Sequence, residues 1–270
     1  MQARRLSAER GTYWLLEGFR LFRRNPPLIT ALTLTYLLVI QGLVVLLPGI
    51  GPMLLPLLLP ALTLIVANGV RLVDEGRVPG KAMLLKGVTG NGPAMLRLGA
   101  LQLAGAILLV LLNLLFNAGA DPLSGLEPAP LSPNMGEMAP PDAPPGAEAA
   151  ALGALARMML LALPIVLAFW FAPFLVGWDR VPPAKALFFS TVASFRNWRA
   201  FGMFGLGAIV LAGIIPGVLL ILVGQIAGMA LSAAFIAMRL ILVFLVAPVL
   251  TASVYVSYRD IFHSGIAENA

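Results

Sequence analysis

Apolar runs long enough to cross a bilayer recur six times along this 270-residue chain, and almost every positive charge lies in the gaps between them. The runs cover about Leu28–Leu47, Met53–Val73, Leu98–Phe116, a stretch within residues 152–178, Met203–Val223 and Ile226–Tyr258. Roughly 20 apolar residues in a helix cross a hydrocarbon core of about 30 Å. Arg4, Arg5, Arg10, Arg20, Arg23 and Arg24 precede the first run. Arg71, at the close of the second run, and Arg77, Lys81, Lys86 and Arg97 precede the third, and Arg180, Lys185, Arg196 and Arg199 lie between the fourth and fifth. Arg259 follows the last run, and the three remaining connections carry no Lys or Arg. Cationic flanks stay in the cytoplasm, so the pattern predicts six spans with both termini cytoplasmic. The last run is longer than a span needs. It is expected to tilt, to kink near Pro248, or to begin outside the membrane.

Composition agrees. The chain is 60% hydrophobic and 11% charged, with mean hydropathy +0.94, where a soluble domain carries roughly 25% charged residues. Lipid must therefore be the solvent for much of it, and residues 1–270 are expected to form a single integral membrane domain. The net charge of +6 is gathered at the membrane flanks. That points to anionic lipid headgroups as partners and not to nucleic acid. The absence of cysteine excludes disulfides, thiolate metal sites and a cysteine nucleophile. The arginine-rich start leads into a span with no suitable small-residue cleavage site, so no cleavable signal peptide is expected; a mitochondrial transit peptide is the weaker alternative. Residues 118–149 hold eight prolines and five acidic residues without a Lys or Arg. They are expected to form a flexible extracytoplasmic loop, with a docking segment for a basic partner as the alternative.

Short helices of mixed character precede the odd spans. In Thr12–Arg24, Trp14, Leu15, Gly18, Leu21 and Phe22 share one side, and Glu17, Arg20 and Arg24 another. Residues 78–97 suggest a short interfacial helix followed by a loop. After Val181-Pro182-Pro183, which stops any helix from upstream, residues 184–198 place Ala184, Leu187, Phe188, Thr191, Val192, Phe195 and Trp198 on one side. Lys185, Ala193, Arg196 and Asn197 lie on the other. Helices of this kind lie on a bilayer. Trp14, Phe22, Phe188, Phe195 and Trp198 are thus the expected interfacial residues. Pro60-x-Leu62-Thr63 matches Pro248-x-Leu250-Thr251, and Arg77-Val78-Pro79 matches Arg180-Val181-Pro182. These matches suggest three parallel repeat units, about 12–74, 78–180 and 182–260.

Chemistry is sparse. Gln41, Asn68, Gln102, Asn113, Gln225, Ser232, Thr251 and Ser253 lie within spans, but no metal spacing, carboxylate pair or nucleophile–base pair emerges. No catalytic residue, metal or cofactor is implied. His263, the single histidine, is expected on a solvated tail. Arg157 and Arg239 are the charges inside apolar runs. Either they snorkel to the outer interface, or Arg239 faces the bundle interior and holds an anionic group. Gly213-x-x-x-Gly217 is expected to pack closely against a neighbouring helix.

Trp14-Leu-Leu-Glu-Gly-Phe-Arg-Leu-Phe-Arg-Arg-Asn-Pro26, Phe171–Ser190 and Arg196-Asn-Trp198 resemble a family of proteobacterial multi-pass inner-membrane proteins without an assigned activity. They are also distantly similar to the membrane portion beside some glycerophosphodiester phosphodiesterases, whose catalytic domain is absent here. The resemblance implies six spans in a bacterial inner membrane and no site residues. The fold expected is all-α: six transmembrane helices in three hairpins with amphipathic cytoplasmic helices. The expected function is non-enzymatic, binding a protein partner or organising lipid through those helices. A permease or channel for an apolar or anionic small molecule is the alternative.

Overall fold

The computed structural model describes residues 3–116, 147–227 and 231–263. Among these it is all-α, with no strand. Helix α1 (Arg10–Arg24) precedes α2 (Pro26–Leu46) and α3 (Gly51–Asp74). A one-turn helix α4 (Lys81–Leu84) leads to α5 (Gly92–Phe116). Then come α6 (Ala147–Trp170), α7 (Ala172–Gly177), α8 (Pro183–Arg196) and α9 (Trp198–Ile209). The chain closes with α10 (Ile215–Ala227), α11 (Leu231–Ile241) and α12 (Ala247–Phe262). Six helical stretches are long and apolar enough to span a bilayer: Pro26–Leu46, Gly51–Asp74, Gly92–Phe116, Leu152–Gly177, Trp198–Gln225 and Ser232–Phe262. They match the six expected spans, with ends shifted by a few residues. Most of the acidic Pro-rich segment lies outside the described residues.

Prolines write the irregularities. A proline cannot donate to the carbonyl four residues back, and its ring crowds that carbonyl. Pro216 and Pro248 are each preceded by a π-helical turn, Val210–Ile214 and Leu242–Val246 respectively. The widened turn absorbs the crowding without ending the helix. The expected irregularity near Pro248 is therefore this π segment.

At Pro173 the outcome differs. The α6–α7 helix breaks at Phe171, and the Ser190 hydroxyl enters the gap. It accepts from the Phe171 N–H at 3.0 Å and donates to the Leu167 carbonyl at 2.8 Å. These are the two groups that a continuous helix would have paired directly. Ser194 donates to the same carbonyl at 3.3 Å. The face of α8 turned toward the protein is consequently a small, polar stripe. Ala186, Ser190, Ala193, Ser194 and Asn197 are all buried. Asn197 extends the tie: it accepts from the Leu6 N–H at 2.8 Å and donates to the Arg4 carbonyl at 2.9 Å. Ala193 and Asn197 thus do not share a solvated side with Lys185 and Arg196, as the wheel suggested. Close backbone packing claims them.

Buried side chains gather at the end where odd spans start and even spans finish. Trp14, Leu21, Phe171, Phe174, Leu175, Val256 and Ile261 are among the fully enclosed ones. Toward the opposite end, Leu46, Phe116, Leu160 and Leu222 are exposed, as lipid-facing helices require. Helix α1 lies against α9 and α12, and two glycines allow the approach. A Cβ on Gly18 would meet the Val249 carbonyl at 2.9 Å, and one on Gly11 would meet the Phe204 amide nitrogen at 2.6 Å. At Gly213 and Gly217, no described residue lies within 4 Å of such a Cβ. Among the described residues, the expected close packing of that pair does not occur.

The serine insertion gives a direct test. Ser190→Ala should leave a buried N–H and carbonyl poorly satisfied and lower stability by about 1–3 kcal/mol. Thr191→Ala, whose hydroxyl bonds to the Leu187 carbonyl of its own helix, should stay within about 0.5 kcal/mol of the parent. Equilibrium unfolding in mixed micelles would read both.

Candidate functional site

The charged end of the bundle holds the richest polar cluster. Each even span finishes near an acidic residue: Asp74 on α3, Asp179 just after α7 and Asp260 on α12. Arg180 adopts the left-handed φ of 53°. This lets the Val181 N–H return to the Leu175 carbonyl at 3.0 Å, closing the helix end before Pro182. Asp179 then sits at the head of α7 facing α12.

Helix α12 supplies the complementary groups at helical spacing, Tyr255, Tyr258 and Arg259. Asp74 accepts from the Tyr255 hydroxyl at 2.9 Å and from Arg259 at 2.5 Å, and Arg24 of α1 stands 3.8 Å away. A second nitrogen of Arg259 is 3.8 Å from Glu17. Asp179 accepts a short hydrogen bond from the Tyr258 hydroxyl and lies 3.8 Å from His263. Asp260, almost wholly buried, accepts from Arg10 and, at 2.8 Å, from the Trp14 indole N–H. Burial of this charge is tolerable because it is paired and hydrogen-bonded. The same hydrogen bond holds the Arg10 guanidinium above its ordinary pKa.

Trp178 forms the other wall. Its indole donates to Asn68 at 2.7 Å, it stacks on Phe174 with ring centroids 5.1 Å apart, and the Arg71 guanidinium lies 5.1 Å above its ring. Asn68 in turn donates to the carbonyls of Leu84 and Lys86, tying α3 to the turn beyond α4. Glu75 receives Arg71 at 2.7 Å and Arg77 at 3.2 Å. The Arg71 hydrogen bond, helped by that of Arg77, holds the Glu75 carboxyl below the usual carboxylate range.

These groups enclose a cavity of about 360 Å³ lined by Arg71, Asp74, Glu75, Trp178, Asp179, Tyr255, Tyr258, Arg259 and His263. Carrying both signs of charge and aromatic walls, it can hold a small polar or zwitterionic group. Deeper in the bundle a cavity of about 140 Å³ is lined by Tyr36, Thr63, Phe174 and Thr251 among others. The two threonines of the matched Pro-x-Leu-Thr motifs thus meet in one space, and Thr251 lies 3.1 Å from the Thr33 hydroxyl.

The singled-out residues are dispersed. Trp14 and Phe22 were expected in the headgroup layer, but both are buried by protein, Trp14 completely. Asp260 claims the Trp14 indole, and α9 and α12 cover the face. Phe188, Phe195 and Trp198 do point outward, at 63%, 57% and 67% exposure. Arg239 is exposed on α11 and Arg157 is half-buried on α6, and neither lines the two cavities above. His263, expected on a solvated tail, stands over Tyr258 at 5.2 Å between ring centroids and beside Asp179. The sequence reading treated Arg259 only as a flanking charge, and it assigned no site role to Asp74, Asp179, Asp260, Tyr255 or Tyr258. The signal was an acid at the end of every even span, with Tyr and Arg at helical spacing on the last one.

No family model matches the chain, and no solved structure matches it. It is 36% identical over 222 residues to a "probable inner membrane protein" of Burkholderia thailandensis, covering 76% of this chain and 74% of the relative. Nothing in these comparisons links the chain to glycerophosphodiester phosphodiesterases.

Two outcomes are expected. Asp260→Ala, which strands the Arg10 guanidinium and the Trp14 indole, should cost about 1.5–3 kcal/mol in micelle unfolding. Glu75 has a folded pKa below its unfolded value. Its contribution is therefore complete above the ordinary 4.5 and is lost as pH falls through the folded value. The melting advantage of the parent over Glu75→Gln should accordingly shrink as the pH is taken below that range.

Proposed function

For this chain, which belongs to the family of the Burkholderia inner membrane protein, we propose a non-enzymatic role in the inner membrane, organising anionic lipid through helices at the charged end. That end faces the cytoplasm, as the distribution of Lys and Arg supports. The observation that carries the reading is the division of α8. Its small stripe is committed to the protein, while Phe188, Val192, Phe195 and Trp198 are left exposed beside exposed Lys185, Arg196 and Arg199. Aromatic rings with basic neighbours suit the headgroup layer, where rings sit among glycerol and phosphate groups and cations reach the phosphates.

The three-unit organisation fits this reading. An asparagine precedes each odd span: Asn25 caps α2 by accepting from the Leu28 N–H, Asn91 donates to the Val176 carbonyl, and Asn197 anchors the chain near Leu6. The recurrence of this residue supports the three-unit reading, although each asparagine takes a different partner. A permease with Arg239 in its path has less support, since that side chain is exposed.

In vesicles containing phosphatidylglycerol and phosphatidylcholine, fluorescence transfer from protein tryptophan should show phosphatidylglycerol enriched around the protein. Replacing Lys185, Arg196 and Arg199 together by Gln should remove about half or more of the enrichment at unchanged melting temperature. Equal enrichment in the variant would sink the assignment to α8.

A further inference from the structure

The two π-helical turns do more than accommodate proline. Leu211 belongs to the first, and Leu245 and Val246 to the second. Together with Leu16 and Phe19 of α1 and with Val249 of α12, they frame a groove of about 300 Å³ whose accessible lining is wholly apolar. A widened turn sets its side chains off the regular helical stripe, so neighbouring helices cannot fill the space between them. Single π turns of this kind recur at functional sites. One wall of the groove is α1, and the next turn of that helix carries Arg20, Arg23 and Arg24, which line an adjoining hollow of about 270 Å³.

The three arginines differ in their commitments. Arg20 is 3.2 Å from Glu17, and Arg24 is 3.8 Å from Asp74. Arg23 makes no ion pair among the described residues, and its guanidinium lies 5.9 Å from the centre of the Phe19 ring, at the rim of the groove. An apolar slot therefore runs to a cationic mouth within one helical turn. Hydrocarbon on one side and positive charge on the other are the two halves of an anionic phospholipid.

We propose that this groove is a binding site for one anionic phospholipid of the surrounding bilayer, with an acyl chain against Leu16, Phe19, Leu211 and Leu245 and the phosphate on Arg23, assisted by Arg20. A guanidinium offers several donors in a fixed fork, and it suits a phosphodiester better than a point charge would. The site deepens the lipid-organising role and rests on its placing of headgroups at the charged end. It is distinct from the α8 surface, because it holds a single lipid and does not gather an annulus.

Native mass spectrometry of protein taken from vesicles of equal phosphatidylglycerol and phosphatidylcholine tests it. The parent should retain one phosphatidylglycerol in preference to phosphatidylcholine. Arg20→Gln with Arg23→Gln should reduce that retention about tenfold or more, the loss expected for a charge-assisted contact. Leu245→Trp, which fills the slot, should abolish retention of either lipid. Should that variant fail to fold, Leu16→Trp serves, since Leu16 is largely exposed. Equal retention of the two lipids by the parent would overturn the proposal, and so would undiminished phosphatidylglycerol in the arginine variant. The Lys185, Arg196 and Arg199 replacement should leave this bound lipid in place. Enrichment lost in that replacement while the parent holds no single phosphatidylglycerol would overturn this site alone; a single phosphatidylglycerol on the parent with enrichment unchanged in that replacement would overturn the α8 reading alone.

Discussion

One hydroxyl holds the middle of this molecule together. Ser190 stands between the Phe171 amide and the Leu167 carbonyl, inside a helix that Pro173 has already weakened. Within a bilayer, backbone groups opened at a helix break have no water to turn to and must be satisfied by protein. The serine of α8 supplies both partners at once. In doing so it fixes the position of α8, and through Asn197 the approach of the segment before α1. It also decides which face of α8 remains outside. The outward aromatic residues are therefore consequences of an inward hydrogen bond.

The packing is unequal along the membrane normal. At the charged end, tyrosines, arginines and a buried aspartate join α1, α3, α7 and α12, while the other ends of the spans meet mainly lipid. Association in a bilayer lacks the hydrophobic drive that operates in water, so close backbone approach and polar pairs carry it. Gly11 and Gly18 provide the first, and Asp74 and Asp260 the second. The α1–α12 contact combines both, and within the spans Gly99 of α5 allows a similar approach, where a Cβ would crowd the Leu57 carbonyl oxygen of α3. Among the described residues, the glycine pair Gly213 and Gly217 in the fifth span has no such close neighbour.

The class of fold was legible because it depends on sums. Six apolar runs and a one-sided distribution of Lys and Arg survive any local detail. What was not legible depends on which neighbour a side chain finds. Trp14 carries the chemistry of an interfacial residue, and only the arrival of Asp260, 246 positions later, makes it an interior one. Likewise a helical wheel cannot tell a solvated Asn197 from one that ties two segments. The carboxylates drew no site role because each lies at the end of an apolar run, where an acid reads as a stop signal; their meeting is a property of the bundle. Pro248 was read correctly as a disturbance, but the wheel offered no reason to expect a groove beside it.

The pairing of α1 with α12 also has a temporal side. Arg10 and Asp260 are 250 residues apart, and at ~5–20 residues per second a ribosome needs about 12–50 s to make the intervening chain. Throughout that interval the apolar flank of α1, with Trp14, Leu21 and Phe22, has been synthesised but α12 has not. The bilayer surface is the natural shelter for such a flank. Docking of α1 against α12 must therefore wait until α12 has been made, and the helix is covered on that side only afterwards.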